Sequence, residues 1–234
     1  MQQLLSFVFL LTFATASLSA QKTATPSAQK TATPEKSDPQ AKKVLDKVRK
    51  KYESYKTIDA AFSLSIELPG QPKQTQKGTI SQEGDKFRLE MDDQIIASDG
   101  KSTWVYLKKN KEIQISNTDP KDISDNGFMT PKDLLKRYEK GDFIYAITEK
   151  ITENKVVLTQ IEFKPKDKKS EYSKLRLSID EKTNAIKSIK AFAKDSGRYT
   201  FSVTSLKTNQ PFAAGHFSLD PKKYSGVKVV DLRE

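Results

Sequence analysis

The sequence predicts a mainly β fold with a little α, in which about ten successive antiparallel strands and two short helices make one highly curved sheet or an open barrel. Three observations carry this. Residues 94–116 read as a double hairpin around the only tryptophan, apolar and polar side chains alternate through most of the remainder, and helical spacing is confined to two places. With 234 residues, 35% of them hydrophobic, the chain buries a core as a single domain of barrel or sandwich size.

Residues 1–20 read as a secretory signal. An apolar run at 4–13 is followed by small residues at Ala14, Ala16, Ser17, Ser19 and Ala20, and the run is too short to span a bilayer, although Gln2 and Gln3 stand where a cation is usual. Residues 21–38 contain QKTATP twice, at 21–26 and 29–34, have nothing to bury, and are expected to form a disordered low-complexity tether ahead of a domain at 39–234. Asp38 and Pro39 then open a helix as N-cap and first helical residue, with Val44, Leu45, Val48, Tyr52 and Tyr55 on one face.

From Ile58 the period changes to two. Phe62, Leu64, Ile66 and Leu68 point one way and Ser63, Ser65 and Glu67 the other. Residues 69–76 make a loop, 78–82 a second strand, and 86–91 a third in which Phe87, Leu89 and Met91 alternate with charged neighbours. Ile95, Ile96 and Ala97 lead into Asp99-Gly100, a pair suited to the positive φ angles of a two-residue primed turn. Trp104 and Tyr106 fall on one face of the next strand and Thr103 and Val105 on the other; Ile113 and Ile115 alternate beyond a turn at Asn110. Pro131 begins a short helix carrying Leu134, Leu135 and Tyr138, and Gly141 ends it. Strands follow at 143–147, 155–163, 175–179, 186–192 and 199–206, with a last short one near 216–219. Apolar faces this rich in Phe, Trp, Tyr, Met and Leu either close over one another or leave a cavity, and the pattern is compatible with both.

The absence of cysteine excludes a disulfide framework, a thiol nucleophile and a lipidated N-terminal cysteine, so the mature protein is expected to be soluble. The net charge of +11 comes from lysines mixed with acids, first of all a solvated surface. Attraction to anionic lipid head groups, at ~1 kcal/mol per well-placed cation, comes second. Nucleic acid is not an expected partner, since no block of cations is interleaved with aromatics. There is no G-x-S-x-G elbow, and His216, the sole histidine, is expected to pack at a strand edge, so neither catalysis nor a cofactor is expected. Asp122, Ser124, Asn126, Gly127 and Asp133 approach the spacing of a calcium loop, but a strand precedes them and Pro131 interrupts them, so no metal is expected.

The run IIASDGKSTWVYLKKNKEIQI, with DKFRLEM upstream, GFMTPKDLL in the centre and FSLDPKKYSGVKVVDLRE at the end, resembles LolA, the periplasmic carrier of bacterial outer-membrane lipoproteins. The resemblance spans nearly the whole chain after the tether. It implies an open, unclosed antiparallel β-barrel of about ten to eleven strands, with helices covering a concave apolar face that holds acyl chains. On that face it places Phe62, Leu64, Ile66, Phe87, Leu89, Met91, Trp104, Tyr106, Ile113 and Ile115, with Phe128, Met129, Leu134, Leu135 and Tyr138 in the lid. Expected partners are acylated lipoproteins, an inner-membrane ABC transporter as donor and an acceptor at the outer membrane, served by a periplasmic monomer. A lipid- or lipopeptide-sensing module on the same fold is the alternative. The family often carries an Arg-Pro between the second and third strands that helps hold the lid; Glu83-Gly84-Asp85 stands there instead, and Arg88 falls on the wrong face to replace it.

Overall fold

The computed structural model describes residues 36–118 and 131–233. The expected leader, nearly all of the expected tether, Phe128, Met129 and the calcium-like run from Asp122 to Gly127 lie outside the described residues. Helix α1 (Pro39–Glu53) begins where its cap predicts, the Asp38 carboxylate accepting from the Gln40 N–H at 2.7 Å. Ala41, Leu45, Val48 and Tyr52 form its buried stripe, and Lys50 and Lys51 oppose the negative end of the helix dipole.

Twelve strands follow: β1 (Thr57–Glu67), β2 (Gln74–Glu83), β3 (Lys86–Met91), β4 (Gln94–Ser98), β5 (Ser102–Leu107), β6 (Glu112–Asn117), β7 (Phe143–Glu153), β8 (Val156–Pro165), β9 (Tyr172–Asp180), β10 (Ala185–Ala193), β11 (Arg198–Thr208) and β12 (Lys228–Asp231). Helix α2 (Pro131–Glu139) lies between β6 and β7. The strands form one sheet in the order β12-β6-β5-β4-β3-β2-β1-β11-β10-β9-β8-β7, whose two edges do not pair with each other. The sheet is therefore open, as an unclosed antiparallel β-barrel is. It joins the first and last halves of the chain at β1 and β11, so its centre depends on contacts distant in sequence.

Three departures from the sequence reading have local causes. Strand β2 starts at Gln74, because the polar residues 74–77 pair with 63–66 of β1 and their solvent-facing side chains give no apolar alternation. Residues 99–101 join β4 to β5, and the Asp99 N–H donates to the Ser102 carbonyl at 3.3 Å, so the central pair of the turn is Gly100-Lys101, one residue later than expected; only Gly100 takes a positive φ (+91°), and the Asp99 carboxylate accepts from the N–H groups of Lys101 and Ser102 at 2.8 and 2.9 Å. Residues 216–219 form no strand. The last strand is β12, parallel to β6 in an otherwise antiparallel sheet, with Val229 43% exposed and hence no inward alternation to reveal it.

Register fixes which side chains share a face, since directly opposed residues project the same way. Ile161, Leu177, Ile189, Phe201 and Leu64 form one continuous cross-strand row, and Ala60, Ile80, Leu89, Ile96 and Val105 form another on the same side. Both helices pack on this helix face: α1 and α2 bury Leu45, Val48, Leu134 and Tyr138 against Tyr145, Phe163, Leu175 and Leu177 in the main core. Trp104, Ala97, Arg88, Ser81 and Asp59 form a row on the reverse face. There the residues after β11 cover the sheet, with Leu219, Tyr224 and Val227 against Trp104.

Candidate functional site

The site grows out of an irregularity at the centre of the sheet. β1 and β11 slip register after Ala61, which faces Ser205 while Phe62 faces Val203, leaving Thr204 without a partner in the register. An extra residue of this kind bends its strand. Opposite Phe62 on β2 stands Gly78, where a Cβ would come within 2.6 Å of both the Phe62 ring and the Glu90 carbonyl oxygen. A glycine inside the strand thus lets the ring lie across it. Phe62 meets Phe201 at 4.8 Å between ring centroids and is buried with Leu89 and Met91, flanked by Leu64, Ile80, Ile96 and Val203.

Between this cluster and the helices runs a cleft lined by Tyr52, Ile58, Ala60, Ile80, Gln82, Pro131, Phe201, Val203 and Leu206. Among the described residues, no carboxylate or ammonium belongs to the lining. Tyr52 accepts from the Ile186 N–H at 3.3 Å, and burial pushes its hydroxyl up to about 12, so it stays neutral at physiological pH. The Gln82 amide donates to the Gly84 carbonyl at 3.4 Å. A wall of this chemistry favours hydrocarbon by excluding water and offers no ionic recognition. The cleft holds about 30 Å³, room for about two water molecules at roughly 10–15 Å³ each. Ligand pockets span about 300–1,000 Å³. The apolar wall is formed; the room for a chain is not.

The two helices set the rim, Tyr52 from the last turn of α1 and Pro131 from the first turn of α2. Leu134, Leu135 and Tyr138 are 0, 4 and 6% exposed in the main core, so they anchor α2 and leave its N-terminal end beside the cleft. Gly141, at φ +78°, lets the chain turn from α2 into β7. The Tyr138 hydroxyl donates to Asp46 Oδ1 at 2.8 Å, and Arg49 Nη1 donates to Glu139 Oε1 at 3.3 Å. These contacts tie α2 to α1 where the sequence left the latch unassigned. The hydrogen bond from Lys42, together with that from Tyr138, holds the Asp46 carboxyl below its ordinary value; burial, then the bond to Asp46, pushes the Tyr138 hydroxyl above the usual tyrosine range.

Of the residues expected on the concave face, Phe62, Leu64, Ile66, Phe87, Leu89 and Met91 are on the helix face, the first, fifth and sixth of them buried. Trp104, Tyr106, Ile113 and Ile115 are not with them. Trp104 pairs with Ala97 and Tyr106 with Ile95, whereas Leu89 pairs with Ile96, so the four lie on the reverse face, where Tyr106 meets Tyr224 at 4.6 Å. Both faces of β4 and β5 carry apolar residues, so alternation along either strand says nothing about which face the helices cover. Ile58, Ala60, Ile80, Phe201, Val203 and Leu206 escaped the sequence reading as site residues. Their strands were legible, but the pairing of β1 with β11 that brings them together was not.

His216 packs on the reverse face instead of at a strand edge, stacked on Phe212 at 4.5 Å with its carbonyl accepting from Arg88 Nη1 at 3.4 Å. Burial, then the Arg88 charge, holds its pKa below the usual histidine value. Beside it is a larger hollow of about 590 Å³ lined by Asp59, Lys207, Thr208, Gln210, Pro211, Phe212 and His216. The carboxylate and ammonium in its wall would have to lose water beside a hydrocarbon chain, so the smaller cleft is the better apolar site.

An open sheet, antiparallel but for β12, with an apolar cleft uncharged among the described residues and covered by α1 and α2, defines the class. Residues 53–220 match the family described as outer membrane lipoprotein carrier protein LolA, and the chain belongs to that family. A crystal structure of an uncharacterized conserved protein from Thermus thermophilus shares the fold, with a TM-score of 0.53 and 11% identity over 82% of this chain and 99% of that one. A LolA superfamily protein from Nitrosomonas europaea follows at a TM-score of 0.41 and 10% identity, over 76% of this chain and 97% of that one. No curated protein sequence matches the chain.

Proposed function

We propose that this protein is a periplasmic carrier that holds the acyl chains of lipoproteins in the helix-face cleft and moves them from the inner to the outer membrane. The observation that carries this reading is the uncharged cleft between the Phe62 cluster and the rim of α1 and α2, in a chain whose family is described as lipoprotein carriers. Burying a methylene is worth about 0.8 kcal/mol, so a sixteen-carbon chain exposed to water would cost on the order of 12 kcal/mol. Free passage through an aqueous compartment is negligible at that cost, and a carrier must match the bilayer without exceeding it, or release fails. Side chains such as Ile80, Val203, Leu206 and the nearby Met91 give dispersion without directional bonds, which suits a fluid ligand. The role needs no catalytic group. It implies an export signal at the N-terminus, a donor in the inner membrane of the ABC transporter type and an acceptor at the outer membrane.

In the closed state the chain has no room, so loading requires the Pro131 end of α2 to move away from Ile80 and Leu206 while its Leu134 to Tyr138 end stays packed. Mass spectrometry of what copurifies with the mature protein from a periplasmic extract tests the function. Intact diacylated or triacylated proteins are the expected cargo. Isolated fatty acids or glycolipids alone would instead favour a lipid-sensing role, and no acylated species at all would refute both.

A further inference from the structure

The reverse face of β9 to β11 carries a feature unrelated to the cleft. Phe192 of β10 pairs directly with Lys174 of β9 and Arg198 of β11, so all three project from that face, opposite the helices. One row along, Lys190 pairs with Arg176, which pairs with Glu162 of β8. Lys174 Nζ, Lys190 Nζ and Arg176 Cζ stand 4.8, 5.6 and 5.6 Å from the centre of the Phe192 ring.

Three cations around one ring repel one another, and the negative ring face offsets only part of that. Glu162, 1% exposed, neutralises one charge: its Oε1 accepts from Lys174 Nζ at 2.8 Å and Arg176 Nε at 3.1 Å. Burial by itself would raise the Glu162 carboxyl, but those two partners bring it below the ordinary carboxylate value. Glu149 reaches Arg176 at 3.5 Å from the rim. Lys190, Arg198 and Lys164, which follows Phe163 and so shares the reverse face, make no ion pair among the described residues. A surplus of positive charge therefore surrounds a half-buried aromatic ring on an open sheet face.

We propose that this face docks on anionic lipid head groups, with Phe192 at the head-group boundary and Lys164, Lys190 and Arg198 against lipid phosphates. The charge complementarity picks the occupant. Cations spread over two sheet rows suit a fluid array of phosphates, whereas a folded acidic partner would require a matching recess, which one ring standing among cations does not provide. The surface stands apart from the carrier reading and holds whether or not the cleft takes acyl chains.

The test is partition of the full chain onto vesicles of phosphatidylglycerol mixed with phosphatidylcholine, against phosphatidylcholine alone. The wild type binds the anionic vesicles and is released by salt. The triple variant Lys164→Glu, Lys190→Glu, Arg198→Glu loses at least about 100-fold, about fivefold for each cation removed and more for each anion put in its place. The variant Lys190→Gln, at a residue in no ion pair, loses about fivefold, and Phe192→Ser about tenfold through the lost apolar contact. The control Lys43→Glu, Lys47→Glu, Lys50→Glu makes the same change of net charge on exposed positions of α1 and loses less than threefold. Equal loss in the control, or unchanged binding by Lys190→Gln and Phe192→Ser, overturns the proposal, and binding of an acidic protein with none to vesicles assigns the face to a protein partner instead.

Discussion

At the scale of single residues, Gly78 decides whether the centre of the sheet closes. The Phe62 ring occupies the space a side chain on β2 would take, and the Glu90 carbonyl on β3 blocks it from the other side. A methyl there meets backbone that cannot step aside, so Gly78→Ala is expected to destabilise by about 1–3 kcal/mol, lowering the melting temperature by roughly 2–10 °C. An unchanged melting curve would show that the strands do not approach this closely. The alternation of 86–91 and 102–107 correctly separated Leu89 from Arg88 and Trp104 from Val105, yet it could not tell that Leu89 and Trp104 face opposite ways. That relation is set by the connections 92–93 and 99–101, and one residue more or less in either would invert it. Asp99-Gly100 marked the second connection as a turn but set it one residue early.

At the scale of elements, α1 and α2 behave as anchor and cover. Both were legible, α1 from its cap and apolar stripe and α2 from Pro131 and Gly141, because helix ends are written in local chemistry. What holds α2 was not legible, since Tyr138 and Asp46 are far apart in sequence. Removing that bond with Tyr138→Phe is expected to cost about 1 kcal/mol, read as about fivefold faster hydrogen exchange in the α2 amides; unchanged exchange would show that the bond does not restrain the helix. Acid should do the same by another route. Because the Asp46 carboxyl is held below its ordinary value of about 3.9, its contribution is fully present above that pH and lost as pH falls through the lowered value. Protection of the α2 amides, the exchange rate of the unfolded chain relative to theirs at the same pH, should therefore fall below about pH 4 and stay flat between about pH 5 and pH 8. A loss of protection within the neutral range would point to a different titrating group. β12 was illegible for the opposite reason. It is short, exposed and paired to β6 in parallel, so neither alternation nor a hairpin turn announces it.

At the scale of the whole molecule, the sheet uses its two faces differently. Its helix face combines a closed core under α1 and α2 with the uncharged cleft over the Phe62 cluster. On the reverse face, β4 to β6 lie beneath the residues after β11, and the cationic surface is left around Phe192. The open barrel was legible from its succession of strands and turns. The division of labour was not, because it depends on the crossing at β1 and β11 and on an irregularity between Ala61 and Phe62 that leaves no mark in hydropathy. The most direct measurement of the central claim is photocrosslinking of the loaded protein, with a photoreactive amino acid placed in turn at Ile80, Val203 and Tyr106. Crosslinks from Ile80 and Val203 to the acyl chains of a lipoprotein, with none from Tyr106, are the predicted result; crosslinks from Tyr106 with none from the other two would contradict it.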